Sequence, residues 1–85
     1  MTTLPDGLTA TEDERGRRTW LRGDYMLVAA EPFPIPGFSQ NGWTVTLVSH
    51  HGATTITIRY DELEPLAAWH CRSMADVLDT VVKSA

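Results

Sequence analysis

Two alternating runs within the stretch Gly42–Tyr60, GWTVTLVSHHGATTITIRY, separate apolar from polar side chains when they pair with each other. The pairing folds Trp43–Ser49 back on Thr54–Tyr60 through a two-residue turn at His51-Gly52. The residues then opposed on one face are Leu47 with Ile56, Val45 with Ile58, and Trp43 with Tyr60. The other face pairs Val48 with Thr55, Thr46 with Thr57, and Thr44 with Arg59. Because a slip of one residue would exchange the faces, the pattern predicts an antiparallel hairpin with one buried side.

A second strand signal precedes the hairpin. Tyr25–Ala30 (YMLVAA) has the length and composition of a strand, and Gly23-Asp24 before it is turn-forming, so Thr19–Arg22 is predicted as a short partner strand. Both alternating sets of Tyr25–Ala30 are apolar. This indicates cover on both faces or a central place in the sheet.

The clearest helical pattern lies at the carboxyl terminus. Ser73 with Asp76 three residues later is a favourable N-terminal cap. Apolar residues follow at the spacing of one buried stripe, namely Met74, Val77, Leu78, Val81 and Val82. The spacing predicts a helix over 73–84 that covers the apolar face of the hairpin. The preceding residues 67–72 alternate like an edge strand but also suit a helical turn, and we interpret them as a loop.

Residues 1–16 mix small, polar and charged residues with few large apolar groups, so they bury too little surface to offset their ordering entropy. We expect a flexible amino-terminal arm, with the single small domain over 17–85. A short helix starting at Thr11 is the alternative, because Thr11 and Glu14 fit a capping box.

The predicted architecture is therefore α+β, with a small antiparallel sheet of three or four strands, the hairpin 43–60 at its centre, and one carboxy-terminal helix over 73–84. A helix is about 10 Å wide and strands lie about 4.8 Å apart, so one helix covers about two strands. Apolar surface is left over, and a second copy of the chain is the simplest cover for it. We expect a homodimer.

Charge and cysteine content narrow the class of protein. The formal net charge is −4, and the arginines at 15, 17, 18 and 22 are the only basic cluster, so nucleic acid is not an expected partner. There is no secretory signal and no apolar run that could span a bilayer. The single cysteine, Cys71, suits a reducing compartment. We expect a cytoplasmic protein, and six arginines among seven basic residues suggest a bacterial or bacteriophage origin.

Candidate chemistry is sparse. His50, His51, His70 and Cys71 are ligand types that zinc prefers, but each pair is adjacent, whereas zinc ligands are usually separated by two to five residues. A Cys71–His70 nucleophilic pair and a cation site at the acids of residues 61–64 are disfavoured on geometry and spacing. Phosphate-binding loops and nucleophile elbows are missing from the sequence. We therefore expect no enzyme activity and no cofactor.

The proline-rich segment Glu31–Asn41, EPFPIPGFSQN, has prolines at alternate positions that favour extended conformations. Such a segment either packs its apolar residues against the core or presents a rigid apolar lip to a partner. The candidate partner-binding residues are Phe33, Ile35 and Phe38, with Trp20 and Trp69 as outlying anchors. Core packing is the competing role for both tryptophans.

The function that these features favour is a non-catalytic protein-binding module, a small acidic regulatory or accessory protein that acts through protein–protein contacts. Two alternatives remain open. The first is a nucleic-acid-associated regulator that uses a basic arm over 15–22, and the second is a small module stabilised by zinc.

Overall fold

The computed structural model of the chain describes residues 4–84, and the side chains of residues 4–80. In chain order the elements are β1 Leu8–Glu12, β2 Arg18–Arg22, β3 Tyr25–Phe33, β4 Gly42–Ser49, β5 Gly52–Ile58 and α1 Leu63–Ser84. Residues 1–3 of the predicted arm, residue 85 of the predicted domain, and the side chains of Val81 and Val82 lie outside the described residues. Among residues 4–84, no helix combines the length and the apolarity needed to cross a bilayer.

The strands form one antiparallel sheet in the order β1-β2-β3-β4-β5, with α1 packed on one side. This confirms the predicted α+β class, with five strands in place of three or four. Residues of β1 lie within the segment for which composition predicts a flexible arm. Leu8–Glu12 pairs along its full length with β2, and Thr9 and Thr11 suit the half-exposed surface of an edge strand.

The loop between β1 and β2 is held by Asp13. Its carboxylate accepts hydrogen bonds from the backbone N–H groups of Arg15 at 2.8 Å and Arg17 at 3.0 Å. Both bonds lower the pKa of the Asp13 carboxyl, and the bond from the Arg17 N–H has the larger effect. Gly16 turns the chain back with a φ of 82°. The segment 13–17 is thus an ordered turn.

The predicted strand at 25–30 and its partner are both present as β3 and β2, and β3 is the central strand of the sheet. Trp20 pairs with Val28 and Leu21 pairs with Met26, so Leu27 is the additional residue of a bulge. Because a bulge resets the alternation of side chains, the neighbours Leu27 and Val28 are both buried in the core. The bulge accounts for part of the doubly apolar pattern of this strand.

The hairpin at the centre of the prediction is present, but its register differs by two residues. Val45 lies opposite Ile56, and Trp43 lies opposite Ile58 in place of Tyr60. A two-residue shift leaves every side chain on its predicted face, so the apolar pattern could not distinguish the two registers.

The turn of this hairpin is therefore His50-His51. The Ser49 hydroxyl accepts a hydrogen bond from the His51 N–H and donates one to the Gly52 carbonyl oxygen. Gly52 follows the turn with a φ of 133°, while neither histidine has a positive φ. The glycine thus closes the turn and does not occupy its centre.

The helix begins at Leu63, ten residues before the predicted start. Pro65 lies in its first turn, where the backbone N–H groups have no partner within the helix, so a proline costs little there. The residues interpreted as a loop, 67–72, are helical, and Ala67 and Cys71 are buried against the sheet. Ser73 lies inside the helix, with its hydroxyl donating to the Trp69 carbonyl oxygen at 3.0 Å.

The core lies between α1 and the middle of the sheet, because α1 packs chiefly on β2, β3 and β4. Its buried members are Trp20, Leu27, Val28, Ala30, Val45, Leu63, Ala67, Cys71 and Leu78. The opposite side of the sheet, here called the open face, carries one row of threonines across the strands. The row contains Thr11, Thr19, Thr46 and Thr55, with Ala29 at the central strand. This polar face is typical of an antiparallel sheet with one side in water.

Candidate functional site

The proline-rich loop between β3 and β4 has a defined conformation. Pro36 and Gly37 occupy the centre of a turn in which the Phe38 N–H donates to the Ile35 carbonyl oxygen at 3.1 Å. Gly37 has a φ of 84°, and proline followed by such a glycine is the sequence that a type II turn requires. The loop is therefore a rigid turn that places Phe38 directly after it.

Ile35 anchors this loop to the sheet. A Cβ atom built on Gly42 would lie 2.6 Å from Ile35 Cδ1 and 2.8 Å from the Ile58 carbonyl oxygen, so only glycine leaves room for Ile35 there. Phe33 pairs with Gly42 in the β3–β4 ladder and is half-buried on the open face. Ile35 and Phe33 thus take the packing role.

Phe38, by contrast, is not packed against the core. Its side chain is 61% exposed, although large apolar side chains in small domains are usually covered. Tyr60 lies at the same end of the sheet and is 48% exposed, and its carbonyl oxygen accepts a hydrogen bond from Trp43 Nε1 at 3.2 Å. This bond replaces the predicted Trp43–Tyr60 cross-strand pair. We call Phe38 and Tyr60 the aromatic end of the sheet.

The two outlying tryptophans differ in burial. Trp20 is 5% exposed and belongs to the core, so the structure assigns it the packing role and removes it from the candidate surface. Trp69 is 59% exposed on the side of α1 that faces away from the sheet. Phe33 belongs to the open face, on the opposite side of the molecule, so Trp69 and Phe33 cannot contact one flat partner together.

The arginines predicted as a basic arm are divided between different surfaces. Arg17 pairs with Asp13 and Glu31 at the margin of the open face, at distances of 3.7 and 3.4 Å. Arg18 lies on the helix side, where Glu12 and Glu64 pair with it at 3.7 and 3.0 Å.

Arg22 also lies on the helix side. It donates to the Ala75 carbonyl oxygen at 2.9 Å and pairs with Asp79 at 2.7 Å. Arg18 and Arg22 are part of β2 and not of a mobile arm. Acidic partners offset the charge of Arg17, Arg18 and Arg22, so these three residues do not form a continuous basic stripe.

The candidate zinc ligands are likewise separated. His50 and His51 contact each other at the exposed hairpin turn, with ring centres 3.7 Å apart and ring planes tilted by 43°. His70 is buried, with Nε2 lying 2.8 Å from the Val48 carbonyl oxygen. Cys71 is buried in the core, where desolvation raises the pKa of its thiol to about 11. Within the described part of the chain, no three residues of metal-binding type are grouped.

An open cavity of about 380 Å³ lies between β1 and the first turn of α1. It is lined by Leu4, Ala10, Thr11, Glu12, Arg18, Trp20 and Glu64. The charged groups at this cavity pair with one another, since Arg18 binds both carboxylates. The charged side chains of this cavity are thus held in ion pairs, although the buried Nε of Arg18 has no hydrogen-bond partner among the described residues.

Two features of the surface were missed by the sequence reasoning. Tyr60 was predicted to be inside the hairpin, and the two-residue shift in register moves it beyond the end of β5. β5 is an edge strand, although the hairpin was predicted at the centre of the sheet. The sequence contains no local sign of this edge, because Gly52–Ile58 has neither the charges nor the prolines that usually protect edge strands.

Comparison with protein-family models, with curated proteins and with solved structures finds no match to this chain.

Proposed function

We propose that this protein is a non-catalytic protein-binding module, a cytoplasmic regulatory or accessory protein of bacterial or bacteriophage type, and that it acts as a homodimer. The observation that carries the proposal is the exposed side chain of Phe38 on an anchored loop. Its partner in this proposal is another protein with an apolar pocket for an aromatic side chain.

The loop is suited to this role because its conformation is set before any partner arrives. The prolines restrict the backbone, the Ile35–Phe38 turn bond closes it, and Ile35 is packed against Gly42. Little conformational entropy is then lost on binding, which is the advantage of a preorganised binding segment. Tyr60 at the same end adds a second aromatic side chain, of a type enriched among residues that dominate binding energy.

The homodimer is supported by incomplete cover of the sheet. α1 packs chiefly on three of the five strands, and Ile56 and Ile58 of β5 remain half-exposed beside it. A second copy of the chain would cover surface that one helix leaves open.

The test compares capture of a partner protein by wild type and by the Phe38→Ser variant. Immobilised wild-type protein should retain a specific protein from an extract of its natural host, and Phe38→Ser should not. Tyr25→Ser is the matched control, because Tyr25 is a similarly exposed aromatic residue in the tight β2–β3 turn region. The unfolding midpoint of Phe38→Ser should equal that of wild type.

Two results would reject this proposal. Equal capture by Phe38→Ser and wild type would remove the loop from the interface, and unfolding of Phe38→Ser would assign Phe38 to the core. Retention of nucleic acid, with an affinity that falls steeply as salt rises, would favour the alternative regulator that uses residues 15–22.

A further inference from the structure

β5 is an edge strand whose outer side is unpaired among the described residues. Its sequence, GATTITI over Gly52–Ile58, contains no charged residue and no proline, and its pairing with β4 has no bulge. Edge strands of soluble proteins are usually short or protected by charges, prolines or bulges. β5 is seven residues long and has none of these protections.

The opposite edge of the sheet differs. β1 has five residues and ends at Glu12, and two further acids follow it at Asp13 and Glu14. A strand that approached this edge would meet acidic side chains at its end. The two edges of the same sheet are thus protected to different degrees, and the longer one is the less protected.

We propose that β5 pairs antiparallel with β5 of a second copy of the chain, which joins two sheets into one of ten strands. This rests on the homodimer of the proposed function but not on the Phe38 loop. Alternate residues of an edge strand direct their N–H and C=O groups outward, so full pairing of two seven-residue strands forms roughly six to eight backbone hydrogen bonds. Thr55, the middle residue of β5, then lies at the two-fold axis opposite its own copy.

The charges of the chain favour this surface for self-association. Each copy carries a net charge of −4, so two copies approach most easily where neither presents charged groups. In this register Ile56 faces Thr54 of the second copy, and Ile58 faces Gly52. Identical strands thus pair without opposing any like charges.

The position of the helix also permits the pairing. A two-fold axis perpendicular to the sheet places both copies of α1 on the same side. The two central strands are then five strand spacings apart, about 24 Å. Since a helix is about 10 Å wide, the two helices do not collide. Ile56 and Ile58 of both copies lie in the space between the helices and lose exposed apolar surface.

Introduction of a charge at Thr55 tests the proposal. Thr55 is exposed on the open face, and its hydroxyl lies 3.4 Å from that of Thr46, so a longer side chain leaves the core untouched. Directly opposed residues in antiparallel strands have Cβ atoms about 4.5–5.5 Å apart, where like charges are destabilising. Thr55→Lys and Thr55→Glu should therefore each be monomeric under conditions in which wild type is dimeric. Thr9→Lys, on the exposed edge strand β1, is the matched control and should remain dimeric.

The decisive sample is an equal mixture of Thr55→Lys and Thr55→Glu. We expect light scattering to give twice the chain mass of 9.4 kDa for the mixture. Each variant alone should give the mass of a single chain. If the single variants failed to dimerise because they were unfolded, mixing them would not restore the dimer mass. Three results would overturn the proposal. Both Thr55 variants could remain dimeric, their mixture could stay monomeric, or the Thr9→Lys control could lose the dimer.

The same variants separate this inference from the loop proposal. The Thr55→Lys variant retains Phe38, so it should still bind the partner in the capture experiment as a monomer. Its binding should be weaker than that of wild type if the dimer engages two partner sites at once. Phe38→Ser should retain the dimer mass. Loss of capture by Phe38→Ser with no dimer in any sample would reject both the β5 pairing and the homodimer, and would leave the loop proposal standing.

Discussion

Replacement of Gly42 by alanine tests the contact that anchors the proline-rich loop. The added methyl carbon would lie 2.6 Å from Ile35 Cδ1 and 2.8 Å from the Ile58 carbonyl oxygen, closer than real Cβ atoms are found. The Ile35 side chain can rotate away, but the carbonyl group belongs to the β5 backbone and moves only with the strand. We therefore expect Gly42→Ala to shift both the loop and the end of β5.

The magnitude follows from two opposing effects. Overpacking of this kind costs roughly 1–3 kcal/mol, while loss of backbone freedom in the unfolded chain offsets about 0.4–1 kcal/mol of that cost. The net loss is about 1–2 kcal/mol, which lowers the Tm of a domain of this size by roughly 4–16 °C. Thermal unfolding followed by circular dichroism at one fixed protein concentration measures the shift.

A second variant identifies the cause of the loss. Ile35→Val removes the Cδ1 atom that meets the new methyl group, so it should cost less stability in the Gly42→Ala background than in wild type. The Ile58 carbonyl oxygen still limits the space, so the rescue is partial. A Tm of Gly42→Ala equal to or above that of wild type, or equal effects of Ile35→Val in both backgrounds, would refute the proposed anchoring of the loop.

Two further predictions follow from titratable groups. Burial raises the pKa of Cys71 to about 11, so the native thiol should react with a disulfide reagent at neutral pH only as fast as the protein opens, and reaction at the rate of a free thiol would contradict its position. The pKa of Asp13 is below its ordinary value of 3.8, so its charge stabilises the fold above that pH, and this contribution is lost as the pH falls through the lowered pKa. Asp13→Asn should therefore be less stable than wild type at neutral pH, by a margin that disappears in acid, whereas a margin that does not change with pH would contradict the assignment.

The fold class was predictable because several independent patterns agreed. Alternation indicated the hairpin, and the Gly23-Asp24 turn indicated the two strands on either side of it. The apolar stripe from Met74 onward indicated the helix. The register was not predictable from alternation, because a shift of two residues leaves both faces unchanged. The Ser49 hydroxyl, which bonds on both sides of the turn, favours the observed register.

The helix start and β1 were missed for different reasons. Pro65 suggested the end of a structure, although the first turn of a helix accepts proline. β1 contains one large apolar residue, Leu8, and depends on pairing with β2, which composition does not reveal. Local patterns thus identified the elements with buried faces but not β1, whose exposed residues depend on pairing with β2.

The candidate site was predicted only in part. The proline pattern predicted an extended segment, but Glu31–Phe33 belongs to β3 and Ile35–Phe38 forms a tight turn. The packing of Ile35 depends on Gly42, seven residues later in the chain. Trp20 could not be distinguished from a surface tryptophan, because its cover comes from α1, far away in the sequence. Contacts between distant segments determined both outcomes.

The most direct test of a homodimeric binding module is the mass of the wild-type protein in solution, measured by light scattering from micromolar to millimolar concentration. The proposed β5 pairing predicts a mass that approaches twice the 9.4 kDa of one chain as concentration rises. A mass that stays at that of one chain over the whole range would contradict the homodimer and leave the aromatic end of the sheet as the remaining candidate interface.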